Sequence, residues 1–191
     1  AKMQTQEEHS ISSMRESDLA VQERKEDIEE NILVETPETE DIPVEPKPAV
    51  LLYQGQASIR VVTDEGKVIY IDPYAGDSYE LSADLILATH SHFDHSQIDK
   101  VDNRSEDCQI ITYREAIING EHQIFDLGYV TVEAVEAGYN PLHEVSDCVG
   151  YVLTFSNGKS IYVTGDTSKT EQMPHMDGME IDYEFFCCDG V

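Results

Sequence analysis

Short apolar runs separated by turn residues fill the chain from Leu51 onward. Residues 57–63 and 67–71 flank the turn-forming Asp64-Glu65-Gly66, a pattern that predicts a β-hairpin. The apolar run 85–88 predicts a buried strand that ends just before Thr89 and His90. Further strands are predicted at residues 108–112, 123–125, 130–135, 151–155, 160–163 and 185–188, with short helices at 97–101 and 114–118. This mixture predicts an α+β domain in which sheets pack against helices.

Residues 1–50 have a different composition: they are acidic, lack aromatic side chains and contain Pro37, Pro43, Pro46 and Pro48. Such a stretch buries too little apolar area to offset the entropy lost on ordering. We therefore expect a disordered leader and linker over 1–50, with a transient helix near residues 16–32, followed by one domain over 51–191.

The charge balance narrows the choice of partners. Lys and Arg number 12 against 39 Asp and Glu, which gives a net charge of -27. That field repels nucleic acid and anionic lipid, so we expect a small-molecule substrate. The sequence contains no apolar run of about 18 residues, so no membrane-spanning helix is predicted. The acidic, proline-spaced start at Ala1 resembles the mature part of bacterial secreted lipoproteins. We expect an extracytoplasmic location, secreted or lipid-anchored, with the cytoplasm as the alternative.

Four side chains that can bind metal fall within one six-residue segment. His90, His92, Asp94 and His95 directly follow the predicted buried strand. Imidazole suits Zn²⁺, and a carboxylate also allows Mn²⁺ or Fe²⁺. Leaving so many polar groups unpaired near a core would cost several kcal/mol, so a metal site is the favoured interpretation.

Other candidate residues receive simpler interpretations. We expect His9 to be solvated, His122 to lie on the surface and His175 not to bind metal. Phe93 is expected to pack beneath the motif loop. The free thiols of Cys108, Cys148, Cys187 and Cys188 are expected to be buried in the core.

The HxHxDH pattern after a strand resembles the signature of the metallo-β-lactamase superfamily. The resemblance extends through Ile71-Asp72-Pro73, whose aspartate supports the motif loop, to the segments around His143 and Gly165-Asp166-Thr167. It implies a four-layer αβ/βα sandwich with two metal ions. The implied ligands are His90, His92 and His143 for the first metal, Asp94 and His95 for the second, and Asp166 between them. Among the branches of the superfamily, these motifs look most like those of the ascorbate-6-phosphate-lactonase-like group.

The same resemblance implies a hydrolase. Two zinc ions would lower the pKa of a bound water and so supply a nucleophile at neutral pH. Asp94 would be the catalytic residue that orients this nucleophile and moves its proton. Tyr139 and Asn140 are candidates for lining the substrate pocket. The expected substrates are a lactone, ester, amide or phosphoester, in falling order of preference.

One departure from the family pattern qualifies these expectations. The superfamily places a last histidine ligand well beyond the GDT segment, and the chain stops at Val191 without one. We therefore expect a sandwich that is incomplete at its C-terminus. The alternative function is a surface-tethered module that binds metal without catalysis, and redox chemistry on a di-iron site ranks last.

Overall fold

A computed structural model of the chain describes residues 48–176 and 178–188. The predicted leader, apart from its last three residues, lies outside this part of the chain, as do the predicted helix near 16–32 and His9. Two five-stranded sheets make up most of the described structure.

The first sheet has the strand order β1-β2-β3-β4-β5. Its strands are β1 (Val50–Gly55), β2 (Ser58–Val62), β3 (Val68–Ile71), β4 (Ala83–Ala88) and β5 (Arg104–Thr112). β1, β2 and β3 are joined by antiparallel pairing, which confirms the predicted hairpin of β2 and β3. β3, β4 and β5 then run parallel. The carboxyl ends of these three strands therefore meet at one edge of the sheet.

The second sheet is antiparallel except at one end. Its strands are β8 (Ile124–Asp126), β9 (Val130–Glu136), β10 (Val149–Phe155), β11 (Ser160–Val163) and β12 (Tyr183–Phe185). β12 lies parallel to β11 at the edge. A separate two-stranded ribbon pairs β6 (Ile117–Ile118) with β7 (Glu121–His122).

The main core lies between the two sheets. Ile59, Ile71 and Leu87 of the first sheet belong to the same buried cluster as Tyr151 and Val163 of the second. A second cluster covers the opposite face of the first sheet, where Tyr70 and Ile86 pack with Tyr79 and Val101 from the connecting segments. Both faces of β3 and β4 are thus covered, which explains why these strands are continuous apolar runs rather than alternating ones.

Helices are short in the described part of the chain. The α-helix α1 (Tyr113–Ala116) begins at a capping box formed by Thr112 and Glu115. Two 3-10 helices span Ile98–Lys100 and Met173–His175. The predicted helix at 114–118 was therefore wrong at its end, because Ile117 and Ile118 pair with β7 instead of continuing the helix. No helix over 48–176 and 178–188 is long and apolar enough to cross a membrane.

The predicted buried strand at 185–188 also differs from the structure. The strand is Tyr183–Phe185, and Tyr183 and Phe186 are more than half exposed because β12 is an edge strand. Among the cysteines, Cys148 is buried as predicted, whereas Cys108 and Cys187 are half-buried and Cys188 is exposed.

Candidate metal centre

The ends of four strands bring the predicted ligands together. Asp72 follows β3, and Thr89 and His90 follow β4, its parallel neighbour. Asp166 follows β11 in the other sheet, and His143 precedes β10. The backbone N–H of Val149 donates to the carbonyl of Thr89 at 3.0 Å, which joins the two sheets at this point.

Gly165 allows the close approach of β11 to the motif loop. Its φ of +60° lies in the left-handed region, and a Cβ atom there would lie 2.9 Å from the Cβ of Thr89 and 3.0 Å from the carbonyl oxygen of Val149. A larger residue would force the two loops apart. The glycine of the GDT segment is thus explained by packing as well as by conformation.

Two groups of side chains have ligand atoms close enough to share a metal ion. His90, His92 and His143 form one group, and His90, His95 and Asp166 form the other; within each group the ligand atoms lie within 4.8 Å of one another. The structure thus brings together five of the six predicted ligands.

Asp166 lies between these groups. Its Oδ2 is 3.3 Å from His143 Nε2, 3.5 Å from His95 Nε2 and 4.0 Å from His90 Nε2. One carboxylate oxygen therefore faces histidines of both groups. That Asp166 is shared between two metal ions stays a prediction.

Hydrogen bonds on the far side of three rings determine which nitrogen faces the centre. Nδ1 of His90 lies 3.0 Å from Thr89 Oγ1, Nδ1 of His95 lies 2.8 Å from Asp72 Oδ2, and Nδ1 of His143 lies 2.8 Å from Asn140 Oδ1. A carboxylate or amide oxygen can only accept, so Nδ1 donates in His95 and His143. The hydroxyl of Thr89 already donates to Asp72 at 2.8 Å and therefore accepts from His90.

In its neutral form, each of these rings consequently presents an Nε2 lone pair to the centre. Nε2 of His90 and Nε2 of His95 are buried and lack a hydrogen-bond partner among the described residues. Buried polar atoms are normally paired, so two buried nitrogens without a hydrogen-bond partner in one ligand group fit a metal site. Nδ1 of His92 lies 3.1 Å from His143 Nε2 and completes the first group. Such a nitrogen-rich donor set with one carboxylate fits zinc.

Asp72 supports the motif loop as predicted. It is fully buried, and it accepts hydrogen bonds from the backbone N–H of Thr89 at 2.7 Å and from the hydroxyl of Thr89 as well as pairing with His95. Its φ of +45° is unusual for a residue other than glycine. The carboxylate therefore orients two ligand rings, His95 directly and His90 through Thr89.

The electrostatics of the metal-free centre are uneven. Burial, together with the neighbouring His95, lowers the pKa of His90 to about 3. Burial opposes protonation of His95 too, but Asp166 and Asp72 outweigh it and raise the pKa of His95 to about 10. Contact with His95 lowers the pKa of the Asp166 carboxyl. At neutral pH, His95 of the metal-free centre is therefore protonated on both ring nitrogens, whereas His90 is neutral and carries its single proton on Nδ1.

Asp94 lies beside the second group. Its Oδ2 is 3.9 Å from His95 Nε2 and accepts a hydrogen bond at 3.0 Å from Nε2 of Gln56, a residue that the sequence did not indicate. Its side chain is 38% exposed, so it faces solvent and the centre at once. The role of Asp94 as ligand and catalytic residue stays a prediction.

Two cavities adjoin the centre. The smaller, of about 410 Å³, is lined by Tyr139 and Asn140 together with His143. The amide oxygen of Asn140 also accepts from the backbone N–H of Leu142 at 3.1 Å, so this side chain holds the His143 loop in shape. The larger cavity, of about 680 Å³, has His95 and Asp166 in its lining, together with apolar side chains such as Tyr53, Ile59 and Phe185.

Two predictions about neighbouring residues are wrong. Phe93 is 68% exposed and contacts Tyr74 edge-on at 5.5 Å, so it does not pack beneath the loop. His122 is half-buried rather than on the surface, because β7 pairs with β6 in the ribbon, and burial lowers its pKa. His175 lies in its 3-10 helix and belongs to neither ligand group. That it does not bind metal stays a prediction.

Sequence comparison gives the class of protein. The family model for the Beta-lactamase superfamily domain matches residues 50–182, most of the chain. The chain belongs to this superfamily, and the predicted α+β metallo-β-lactamase fold is confirmed.

Individual relatives narrow the class further. The chain is 27% identical over 164 residues to a UPF0173 metal-dependent hydrolase of Polynucleobacter asymbioticus, covering 64% of this chain and 58% of the relative. It is 32% identical over 152 residues to a UPF0173 metal-dependent hydrolase of Chloroflexus aurantiacus, covering 62% of each protein. A solved structure assigned to the metal-dependent hydrolases, from Parabacteroides distasonis, has a TM-score of 0.62 at 25% identity and covers 75% of this chain and 71% of that one.

The chain spans between 52% and 64% of the length of these and other curated relatives. The similarity to the ascorbate-6-phosphate-lactonase-like branch and the expected absence of a last histidine ligand stay predictions.

Proposed function

We propose that the chain is a metal-dependent hydrolase that uses two adjacent metal ions. The observation that carries this proposal is the presence of two ligand groups, which share His90 and are both close to Asp166. Asp166 Oδ2 lies 3.3 Å from His143 Nε2 in the first group and 3.5 Å from His95 Nε2 in the second. The names of the curated relatives, metal-dependent hydrolases, support it.

Zinc is the proposed metal, because four imidazoles and a bridging carboxylate match its preferred ligands; manganese and iron are the alternatives. Bound there, the metal ions would activate a water molecule and polarise the oxygen of the group under attack. Asp72, Thr89 and Asn140 would hold the ligand rings in the tautomers that this requires.

The proposed catalytic residue is Asp94. Its carboxylate lies 3.9 Å from His95 Nε2 and is partly open to solvent. It would orient the attacking water, accept its proton, and pass that proton to the leaving group. Asp166 would keep the two metal ions at their spacing.

The larger cavity favours an uncharged substrate. Its wall combines apolar side chains, among them Ile59 and Phe185, with the carboxylate of Glu184. A negative side chain disfavours a phosphorylated compound, so a lactone, ester or amide ranks above a phosphoester. Tyr139 in the smaller cavity would contact the part of the substrate near His143.

The test is metal content and turnover of the complete protein. Elemental analysis should find about two zinc ions per chain, and a panel of lactones and esters should reveal hydrolysis. His92→Ala and Asp166→Ala should abolish that hydrolysis, whereas the control His175→Ala should retain it. Turnover that survives His92→Ala would refute the proposal. Bound metal without turnover of any compound would favour the alternative, a non-catalytic metal-binding module.

Two related predictions accompany this proposal. The excess of acidic residues predicts no binding to nucleic acid. The extracytoplasmic location stays a prediction, which fractionation of the source cells would test.

A further inference from the structure

The tip of the β1–β2 hairpin reaches the candidate metal centre. Gln56 lies in the turn between β1 and β2, and its Nε2 donates to Asp94 Oδ2 at 3.0 Å across a separation of 38 residues. Gln56 also lines the larger cavity together with His95 and Asp166. This is the Asp94 oxygen that lies 3.9 Å from His95 Nε2.

The backbone at this tip is held in place. The hydroxyl of Tyr53 donates to the carbonyl oxygen of Gln56 at 2.7 Å. Two residues beyond Gln56, Ser58 Oγ accepts from the backbone N–H of Ala75 at 2.8 Å and donates to the carbonyl of Asp72 at 2.7 Å. The hairpin tip is thus tied to the segment that follows β3, which also supplies the buried carboxylate of Asp72.

The conformation of Gln56 is unfavourable for its residue type. Its φ is +52°, in the left-handed region where glycine is preferred. Non-glycine residues held there often mark functional sites, because the side chain is needed despite the strain. The side chain is exposed, so core packing does not explain it.

We propose that Gln56 is a positioning residue for Asp94, an inference that rests on the proposed function. The neutral amide holds Asp94 Oδ2 beside His95, and the plane of the carboxylate then fixes the direction of Oδ1. Asp94 then keeps one orientation towards the second metal ion and the attacking water. An amide donor achieves this without placing a positive charge near the metals.

The first arm of the test examines the hydrogen bond in the metal-free protein. Proton–nitrogen correlation spectra identify the side-chain amide of Gln56 as the signal that Gln56→Met lacks. We expect this signal to move in Asp94→Ala. A signal that stays in place would overturn the proposal. Methionine is nearly isosteric with glutamine but has no donor, so the variant removes the hydrogen bond with little change of shape.

The second arm measures Co²⁺ binding by absorption spectroscopy. The second metal site is identified as the cobalt-binding site that is lost in His95→Ala. Gln56→Met should lower the affinity of this site for cobalt about tenfold, which is the usual effect of losing a group that orients a ligand. In the Asp94→Ala background the same substitution should have no effect. The control is Gln123→Met, which removes a comparable hydrogen bond to the carbonyl of Glu121 at 2.8 Å in the ribbon region; it should leave cobalt binding unchanged.

The outcomes separate the two levels of inference. An equal loss in both backgrounds would show that Gln56 supports the hairpin rather than Asp94, and would overturn the positioning role. Cobalt binding unchanged by Gln56→Met would overturn that role alone. No cobalt bound by any form, with the amide signal still responding to Asp94→Ala, would refute the proposed function and the positioning role with it.

Discussion

Replacing Asp72 with asparagine should weaken metal binding although residue 72 touches no metal ligand atom. The Asp72 carboxylate accepts three hydrogen bonds in a fully buried site, from the backbone and hydroxyl of Thr89 at 2.7 and 2.8 Å and from His95 Nδ1 at 2.8 Å. Asparagine keeps one accepting oxygen, for the backbone N–H of Thr89. Its amino group would then face two groups that both donate.

The size of the loss in metal affinity follows from the changed hydrogen bond at His95 Nδ1. Facing an amide donor, His95 would take the tautomer with its proton on Nε2, which is the atom directed at the centre. Loss of such an orienting partner lowers metal affinity by about 10- to 100-fold, or about 1.4 to 2.7 kcal/mol. An unpaired buried donor should also lower the free energy of unfolding by about 1 to 3 kcal/mol.

Competition with a chromophoric zinc chelator would measure the affinity, and urea denaturation of the metal-free protein would measure the stability. The matched control is Asp84→Asn, because Asp84 accepts from Lys67 Nζ and from the backbone N–H of Val68, both at 2.9 Å, away from the centre. It should reduce stability without reducing zinc affinity. If Asp72→Asn binds zinc as tightly as the unsubstituted protein, the tautomer argument is wrong.

Three further predictions use other features of the structure. Because the pKa of His95 is raised to about 10, zinc should displace a proton from it at pH 7 and bind more tightly as pH rises towards 10. Calorimetry in buffers of different ionisation enthalpy would measure the number of protons released. Zero proton release would contradict the prediction. Gly165→Ala should lower both the free energy of unfolding and the zinc affinity, because its Cβ would clash with neighbouring atoms. The control Gly158→Ala should have a smaller effect, because nothing lies within 4 Å of its added Cβ. Equal effects of the two substitutions in urea denaturation and zinc titration would contradict the packing argument. Burial raises the pKa of Cys148 to about 12, so a thiol reagent should modify exposed Cys188 at once and Cys148 only after unfolding, as mass spectrometry would show; rapid modification of Cys148 in the folded protein would disagree.

The sequence indicated the centre because strand ends and ligands coincide along the chain. A short continuous apolar run bounded by turn residues favours a strand buried on both faces, and the residues after such a strand lie at the sheet edge. That argument located His90 to His95 after β4, and the family pattern added His143 and Asp166, which the structure brings within 3.3 Å of each other. These inferences needed no knowledge of how the sheets pack.

Properties set by contacts between distant segments were not predictable. Phe93 and His122 were assigned the wrong exposure, because the exposure of a loop or ribbon residue depends on which other segment covers it. The hydrogen bond from Gln56 to Asp94 likewise depends on contact between a hairpin tip and a loop 38 residues later in the chain. No local sequence pattern predicts this contact.

The amino-acid sequence by itself therefore indicated an α+β domain and the His90 to His95 cluster, because hydrophobic periodicity and ligand spacing are local properties. The particular fold and the ligands His143 and Asp166 came from the resemblance of its motifs to the metallo-β-lactamase pattern. Only the tertiary structure decided which ring nitrogen faces the centre, since that depends on partners such as Asp72 and Asn140 at the opposite side of each imidazole. It also decided the opposite pKa shifts of His90 and His95. Both rings are buried at the same sheet edge, but Asp166 Oδ2 lies closer to His95, at 3.5 Å, than to His90, at 4.0 Å, and only His95 also lies against the fully buried carboxylate of Asp72.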